Sequence, residues 1–124
     1  KINILQESNE TEILLNNIIT ILKENKSINI SILNLEKIDV SVCKYFVICS
    51  GNSSTHIASI STNLVKDISK LLKEKPWSQE GKEICEWVLI DYADIVIHVF
   101  KKEIRDFYAI EDLWGDAEIK NIKN

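Results

Sequence analysis

The loop Gly51-Asn52-Ser53-Ser54 is the first place where residue types and spacing suggest chemistry. It follows an apolar run and precedes a helical pattern, so its backbone amides could cradle a phosphate group at the start of the helix. The loop matches neither GxGxxG nor GxxxxGK(S/T), the glycine patterns that bind nucleotide phosphates. The simpler interpretation is a strand-to-helix turn in which Ser53 or Ser54 caps the helix.

Asp91 and Asp94 are the second candidate, because paired carboxylates hold the metal ions of nucleotidyl transfer. Their spacing places them at the two ends of a predicted turn and not on one face of a strand. Turn residues that bond to the local backbone are therefore the simpler interpretation. A nucleotide-dependent transferase that uses this pair and the Gly51 loop stands as an alternative function.

The cysteines and histidines offer a third chemistry, nucleophilic or zinc-assisted catalysis. Three cysteines without a CxxC pair are typical of a reducing compartment, and they lack the close spacing of a zinc site. His98 lies inside the apolar run 95–100, where a structural role is a simpler interpretation than catalysis. No nucleophile, base and orienting group come together in the sequence. We therefore predict that the protein is not an enzyme and uses neither a metal nor a cofactor.

Negative charge is concentrated in the second half of this 124-residue chain, whose net charge is -4 at pH 7. Residues 80–118 hold 4 basic and 11 acidic residues, whereas residues 1–79 are close to neutral. Such a segment is either a solvated surface or a face for a basic partner. It argues against direct DNA binding, because phosphate contacts need clustered lysine or arginine. No apolar run approaches the roughly 20 residues that a membrane helix needs.

Periodicity in the first half predicts a helix, two strands and a second helix. Apolar residues recur at helical spacing over 9–25, where Asn9 and Glu12 resemble a capping box. A period of two over 28–33 predicts a strand, and the apolar run 45–49 predicts a strand covered on both faces. Helical spacing then runs from the Gly51 loop to just before Pro76.

The second half predicts two further strands and a last helix. Residues 87–90 and 95–100 are apolar runs joined by a short turn, which is typical of an antiparallel pair. Residues 103–118 show helical spacing that Gly115 interrupts. The element order predicts an α/β (α+β) fold, with a mixed sheet of about four to five strands and helices packed on it. We expect a single domain over residues 1–124, with flexible ends at 1–6 and 119–124.

Aromatic residues accumulate in the same acidic half of the chain. Trp, Tyr and Arg are the residues that most often carry the binding energy of protein interfaces. Arg105 lies three residues before Tyr108, which predicts that the two share a helix face. Each aromatic residue belongs either to the core or to a surface, and their coincidence with the acidic segment favours a protein-binding face. These aromatic residues are Trp77, Trp87, Tyr92, Phe107, Tyr108 and Trp114.

Several short motifs of the second half follow one another in a distinctive order. They are Glu80-Gly81, Glu86-Trp87, Asp91, Asp94, His98-Val99, Arg105-x-Phe107-Tyr108 and Glu111-x-Leu113-Trp114. Upstream, the passage 44–54 reads KYFVICSGNSS, which looks like a DYFVI…GTS motif. In this combination the chain resembles the ribosomal silencing factor family, also called RsfS or Iojap, over roughly residues 7–118.

The chain departs from the family pattern at a few positions. Ala93 stands where glycine is common, which predicts that this turn avoids a positive φ. Thr55 stands where the family often has arginine, and Lys44 replaces the usual aspartate. No departure removes a member of the aromatic and acidic set.

The resemblance implies a nucleotidyltransferase-like sheet without catalytic carboxylates, and a binding function. Members of the family bind the large ribosomal subunit through ribosomal protein L fourteen and block joining of the small subunit. They thereby repress translation during nutrient limitation, and organelle relatives act in assembly of the large subunit. We then expect a cytoplasmic, bacterial-type protein or one of an organelle matrix, without a membrane partner. An exposed strand edge would allow a homodimer.

The expected binding residues are the aromatic and acidic members of the motifs. Trp87 and Tyr108 are the expected anchors, and the carboxylates complement a basic ribosomal protein. Arg105 either contacts the partner or orients the face by pairing with a carboxylate. The expected partner-binding set is Trp87, Asp91, Arg105, Tyr108, Glu111, Asp112 and Trp114, and the structural set is Gly51, Glu80, Gly81, Asp94 and His98.

Overall fold

A six-stranded mixed sheet forms the centre of the computed structural model, which describes residues 4–38 and 43–123. The strands are β1 (Ile28–Asn34), β2 (Tyr45–Gly51), β3 (Ser78–Glu80), β4 (Trp87–Asp91), β5 (Ile95–Lys101) and β6 (Glu118–Asn121). The helices are α1 (Ile4–Glu24), α2 (Ser54–Leu72), α3 (Lys102–Tyr108) and α4 (Ile110–Leu113). The strand order is β3-β4-β5-β2-β1-β6. The mixed α+β fold is confirmed, with two edge strands, β3 and β6, beyond those predicted.

The parallel pair β2 and β5 lies at the centre of the sheet, and the neighbouring pairs on either side are antiparallel. Residues 46–51 of β2 are all buried, which confirms a strand covered on both faces, and residues 95–100 of β5 are buried in the same way. Alternation along each strand divides their side chains between two cores. Val47 and Ile97 belong to the core under the long helices, whereas Ile48 and Phe100 belong to the core on the opposite face.

Helices α1 and α2 cover one face of the sheet with fully buried aliphatic side chains. Ile18 and Leu22 of α1 and Ile60 and Leu64 of α2 are 0% exposed. Burial of each such side chain contributes about 1.5–3 kcal/mol. This face is therefore closed by aliphatic packing.

The start of α2 confirms the turn interpretation of the Gly51 loop. Ser53 is the N-cap residue, and its Oγ accepts a hydrogen bond from the backbone amide of His56 at 3.1 Å. The helix ends at Leu72, and Lys73 follows in the left-handed conformation with φ 58°. Its amide donates to the Ser69 carbonyl, so Pro76 lies beyond the helix.

The start of α1 differs from the prediction. The helix begins at Ile4, so Asn9 lies in its interior and does not act as its N-cap. The expected flexible end 1–6 therefore includes three helical residues, and residues 1–3 lie outside the described part of the chain.

The end of the chain also differs from the single helix predicted over 103–118. Ala109 takes a left-handed conformation with φ 45°, which ends α3 and sets α4 in a new direction. Residues 118–121 form β6, which pairs with β1, so the expected flexible end 119–124 begins with a strand. All four residues of β6 are exposed, and β3 has only three residues. Both segments are strands because they pair with a neighbouring strand, β6 with β1 and β3 with β4, and not because their own residues show an apolar alternation.

The turn between β4 and β5 overturns the prediction made for Ala93. Its φ is 72°, in the left-handed region that the alanine was expected to avoid. Oδ1 of Asp91 accepts a hydrogen bond from the Ala93 amide at 2.7 Å, which stabilises this conformation.

Among the described residues no helix is both long enough and apolar enough to cross a membrane.

Candidate protein-binding face

Six rings follow one another across the sheet face that lies opposite α1 and α2. We call them the aromatic row. Their consecutive centroids are separated by 5.1, 4.9, 6.0, 4.7 and 5.6 Å, distances at which aromatic rings attract one another. In order, the row consists of Phe107, Tyr108, Trp87, His98, Phe46 and Trp114.

The aromatic row is buried in its middle and open at one end. Phe46 and His98 are 8% and 4% exposed, whereas Phe107 and Tyr108 are 79% and 48% exposed. Leu113 of α4 adds another open apolar side chain, at 76%. Large apolar side chains grouped in the open are typical of interaction surfaces, so this end of the row is the candidate face.

Strand geometry places Trp87 within the row, and Gly81 makes that placement possible. Trp87 is half-buried, with its ring 4.7 Å from Phe100 below it. Gly81 has φ 85°, and a Cβ there would overlap the carbonyl oxygen of Trp87. The glycine therefore allows the β3–β4 connection to pass close to the Trp87 backbone, which supports its place in the structural set. Glu80, beside it, is exposed at the end of β3.

His98 is a structural member of the row. Its Nδ1 accepts a hydrogen bond from Nε1 of Trp87 at 3.1 Å, which orients the indole. The proton of the neutral ring therefore resides on Nε2, which has no hydrogen-bond partner among the described residues. Burial lowers the pKa of His98 to about 4, so the ring is neutral at pH 7. This geometry favours the structural interpretation over catalysis.

Arg105 fixes α3 and α4 onto the sheet. Its Nε and Nη2 donate to the two oxygens of Glu111 at 3.0 and 3.1 Å, a bidentate pair across the bend at Ala109. Its Nη1 donates to the Asn29 carbonyl at 2.7 Å, and further bonds reach Ser50 and Ser31. Arg105 is 9% exposed, so its side chain is largely covered by these contacts within the chain, and its place in the partner-binding set stays a prediction. The alternative, in which it orients the face by pairing with a carboxylate, matches the geometry.

Exposed acidic side chains lie close in sequence to the open end of the row. Asp106 and Asp112 are exposed, as are Glu103 and Asp116. Glu111 is half-buried in its pair with Arg105, so its charge is compensated within the chain. Asp112 therefore remains available to a basic partner, whereas Glu111 positions the helices.

Asp91 and Asp94 engage different partners at their turn. Asp91 caps the turn through the Ala93 amide, whereas Oδ2 of Asp94 accepts from Thr11 at 3.1 Å. Lys44 lies 3.8 Å from the same Asp94 oxygen. The two carboxylates thus support the local backbone and the start of β2. Within residues 4–38 and 43–123, no three His, Cys, Asp or Glu side chains form a group that fits a metal ion.

The Gly51 loop lines a surface cavity of about 530 Å³, beside Lys101 and Lys102. A Cβ on Gly51 would meet Ile57 Cγ1 at 2.8 Å, so the glycine permits close packing of strand and helix. Ser53 is engaged in capping α2, and Lys102 pairs with Asp106 at 3.2 Å. These contacts favour the turn interpretation of the loop.

The cysteines behave as small apolar residues. Cys49 is fully buried, and burial raises the pKa of its thiol to about 12. Burial also raises the pKa of Cys43, to about 11. Neither thiol is activated as a nucleophile.

The structure joins three residues of the predicted binding set, Trp87, Tyr108 and Trp114, in one row. It adds Phe107 and Leu113, which the sequence analysis left out of that set. The missed signal was their position next to Tyr108 and Trp114, because side chains of neighbouring helical residues point about 100° apart and so do not share one buried position. Asp91 lies at the far end of β4 from Trp87.

Comparison with known proteins finds a matching family model, similar sequences and a similar crystal structure. A family model described as "Ribosomal silencing factor during starvation" matches residues 6–124. The protein named ribosomal silencing factor RsfS of Bacillus subtilis is 35% identical over 99 residues, covering 80% of this chain and 82% of that protein. A mouse protein named mitochondrial assembly of ribosomal large subunit protein 1 is 29% identical over 78% of this chain and 43% of its own length. A crystal structure from Chromobacterium violaceum superposes with a TM-score of 0.78 at 28% identity, over 84% of this chain and 85% of that one.

Proposed function

We propose that this chain, which belongs to the RsfS family of ribosomal silencing factors, binds the large ribosomal subunit through ribosomal protein L fourteen and so prevents joining of the small subunit. The observation that carries this proposal is the aromatic row, because its open end exposes Phe107 and Tyr108 beside a half-buried Trp87 whose indole is held by His98. We expect the action to take place in a bacterial-type cytoplasm.

The aromatic row has the composition of an interface centre. Trp and Tyr dominate the binding energy of protein interfaces, especially where their rings are already held in place. Here the Trp87 indole is fixed by His98, and Tyr108 packs 4.9 Å from it. Little side-chain entropy is then lost on docking, so the buried area contributes more of its energy to binding.

The acidic rim complements a basic ribosomal protein. Asp106 and Asp112 are exposed beside the apolar centre, and segment 80–118 is strongly acidic as a whole. Charges at an interface rim mainly raise the rate of association and select the partner. The proposed mechanism is steric, since a protein seated on the joining surface of the large subunit excludes the small subunit. No chemical step is required.

Gradient sedimentation of purified large and small subunits tests the proposal directly. The expected result is that a molar excess of the protein keeps the subunits apart and that the protein migrates with the large subunit. Unchanged joining in the presence of excess protein would overturn the proposal.

Matched variants locate the binding face. Phe107→Ala removes an exposed ring of the row, and Trp77→Ala removes an equally exposed ring outside it, at 81%. We expect the first to weaken co-migration at least roughly tenfold, as for an interface anchor, and the second to leave it unchanged. Equal effects of the two variants would place the contact elsewhere.

A second candidate function is assistance in assembly of the large subunit, which the name of the mouse relative favours. It uses the same face but acts before the subunit is complete. Deletion of the gene separates the two, because an assembly factor leaves incomplete large subunits in growing cells. Loss of a silencing factor instead leaves excess joined ribosomes in starved cells.

A further inference from the structure

Strand β6 leaves one edge of the sheet open. It pairs with β1 along one side, and within the described residues no strand lies along its other side. An open edge presents backbone N–H and C=O groups that another strand can join. All four residues of β6 are exposed, and the apolar one, Ile119, is 45% exposed. This edge is therefore able to accept a further strand.

The opposite edge of the sheet is protected against such pairing, whereas β6 is not. β3 has only three residues, all of them polar, and Pro76 lies two residues before it. Short edge strands and nearby prolines are common protections against pairing with another chain. β6 is one residue longer and contains neither proline nor glycine, and Ile119 adds an apolar side chain. The two edges therefore differ, and β6 is the candidate interface.

The backbone of β6 determines which of its residues face the open side. The amide of Ile122 donates to the Ile30 carbonyl of β1 at 2.8 Å, so the backbone of Ile122 points inward. Because backbone groups alternate in direction along an antiparallel strand, those of Lys120 and Glu118 also point to β1. The N–H and C=O groups of Ile119 therefore point to the open side, where a further strand would meet them.

We infer that β6 pairs antiparallel with β6 of a second copy of this chain, around a two-fold axis that passes through the Ile119 pair. The two Ile119 residues then exchange backbone hydrogen bonds, and Glu118 of each copy lies opposite Lys120 of the other. A two-fold axis repeats every contact, so two opposite-charge pairs form. Such pairs stabilise a sheet, and side chains lie closest where the paired residues do not exchange hydrogen bonds. The inference does not depend on ribosome binding.

The charges of β6 favour this register over the two nearest alternatives. The backbone groups on the open side allow Ile119 to pair with itself or with a residue two positions away, Ala117 or Asn121. Pairing with Ala117 puts Glu118 opposite its own copy, and pairing with Asn121 puts Lys120 opposite its own copy. Like charges directly opposite each other are destabilising. The strand β6 is therefore complementary to itself in one register.

Contacts within the chain leave both charges available to a second copy. Oε1 of Glu118 lies 3.3 Å from Nζ of Lys37, and these side chains are 69% and 86% exposed, so the pair contributes little to stability. A carboxylate has two oxygens, so Glu118 can also accept from a second lysine. Lys120 has no ion-pair partner in the part of the chain that the structure describes.

Sedimentation equilibrium of the protein at low ionic strength, from about 1 μM to about 1 mM, tests the inference. Two short strands form a small interface, so we expect a weak, reversible dimer that added salt weakens further. Lys120→Glu makes both cross-strand pairs repulsive and should raise the dissociation constant at least roughly tenfold. Lys82→Glu, the same charge change at an exposed lysine beyond β3, is the matched control and should raise it far less.

A mixture of two variants tests the register itself. Glu118→Lys alone places lysines opposite each other and should weaken the dimer as Lys120→Glu does. In an equimolar mixture of these two variants, both cross-strand pairs of the mixed dimer again join opposite charges, so we expect dimers about as tight as those of the native protein. A native protein that stays monomeric over the whole range would overturn the inference. So would a dimer that Lys120→Glu weakens no more than Lys82→Glu does, or a mixture that forms no mixed dimer.

Discussion

The two faces of the central sheet are built for different tasks. One face is covered by α1 and α2, helices of 21 and 19 residues, whose inward side chains are aliphatic and fully buried. The other is covered by α3 and α4, of 7 and 4 residues, over a row of aromatic rings that is open at one end. The face under α1 and α2 stabilises the fold, and the incomplete cover of the aromatic face leaves apolar side chains exposed, as the proposed binding function requires.

Truncation of one side chain on each face tests whether the two faces contribute differently to the free energy of unfolding. Ile60→Ala, at a fully buried position under the helices, should lower the free energy of unfolding by up to about 5 kcal/mol, because it leaves a cavity. Leu113→Ala, on the open face, should change it by less than about 0.5 kcal/mol. Urea denaturation measures both, and a large loss for Leu113→Ala would mean that α4 is part of the core.

The attachment of the short helices is tested at Arg105. Arg105→Ala leaves Glu111 partly buried without its partner and should cost about 3 to 4 kcal/mol. The control is Lys102→Ala, which breaks an exposed pair on the same helix and should cost less than about 0.5 kcal/mol. Comparable urea midpoints for the two variants would contradict the anchoring role of Arg105.

Burial of His98 in the middle of the aromatic row should make the free energy of unfolding depend on pH in the acidic range. Below its ordinary pKa of 6.5 the unfolded chain protonates His98, whereas the folded protein keeps the ring neutral down to about pH 4. The free energy of unfolding should therefore fall by about 3 kcal/mol as the pH drops from 6.5 to 4. His98→Gln, which keeps an acceptor for Trp87 but does not titrate, should show a flatter profile over this window. Parallel profiles for the two proteins would mean that His98 is accessible to water.

The smallest expected effect lies at the β4–β5 turn, away from both faces. Ala93→Gly relieves the positive φ of 72° and should raise the free energy of unfolding by about 0.5 to 1 kcal/mol. Thermal unfolding measures the change. A loss of stability would show that the Asp91 cap already compensates for the conformation of the alanine.

Residue patterns predicted the centre of the fold better than its edges. The strands β2 and β5 and the helix α2 could be predicted because continuous or periodic apolar residues indicate which side chains are buried. The edge strands β3 and β6 carry polar residues, and only a partner strand makes them strands. The break at Ala109 was invisible for a similar reason, since no glycine or proline marks it and tertiary contacts of Arg105 and Glu111 impose it.

For the candidate site, residue types indicated an acidic and aromatic face, but not which side chains point outward. Arg105 shows the limit, because helix spacing placed it beside Tyr108 while its actual partners come from β1, β2 and α4. The homodimer, the domain limits and the individual binding residues stay predictions.

The parallel pairing of β2 with β5 has a consequence for how the chain folds. Apart from β6, the strands on either side of that pair are joined locally, as the hairpin β1–β2 and the meander β3–β4–β5. Tyr45 and Ile95, which meet in the pair, are separated by the whole of α2 and two strands. Closing so long a segment costs chain entropy before any contact rewards it. We therefore expect two locally formed sheets whose union along β2 and β5 limits the folding rate, so that shortening the connection after α2 would speed folding more than it would raise stability.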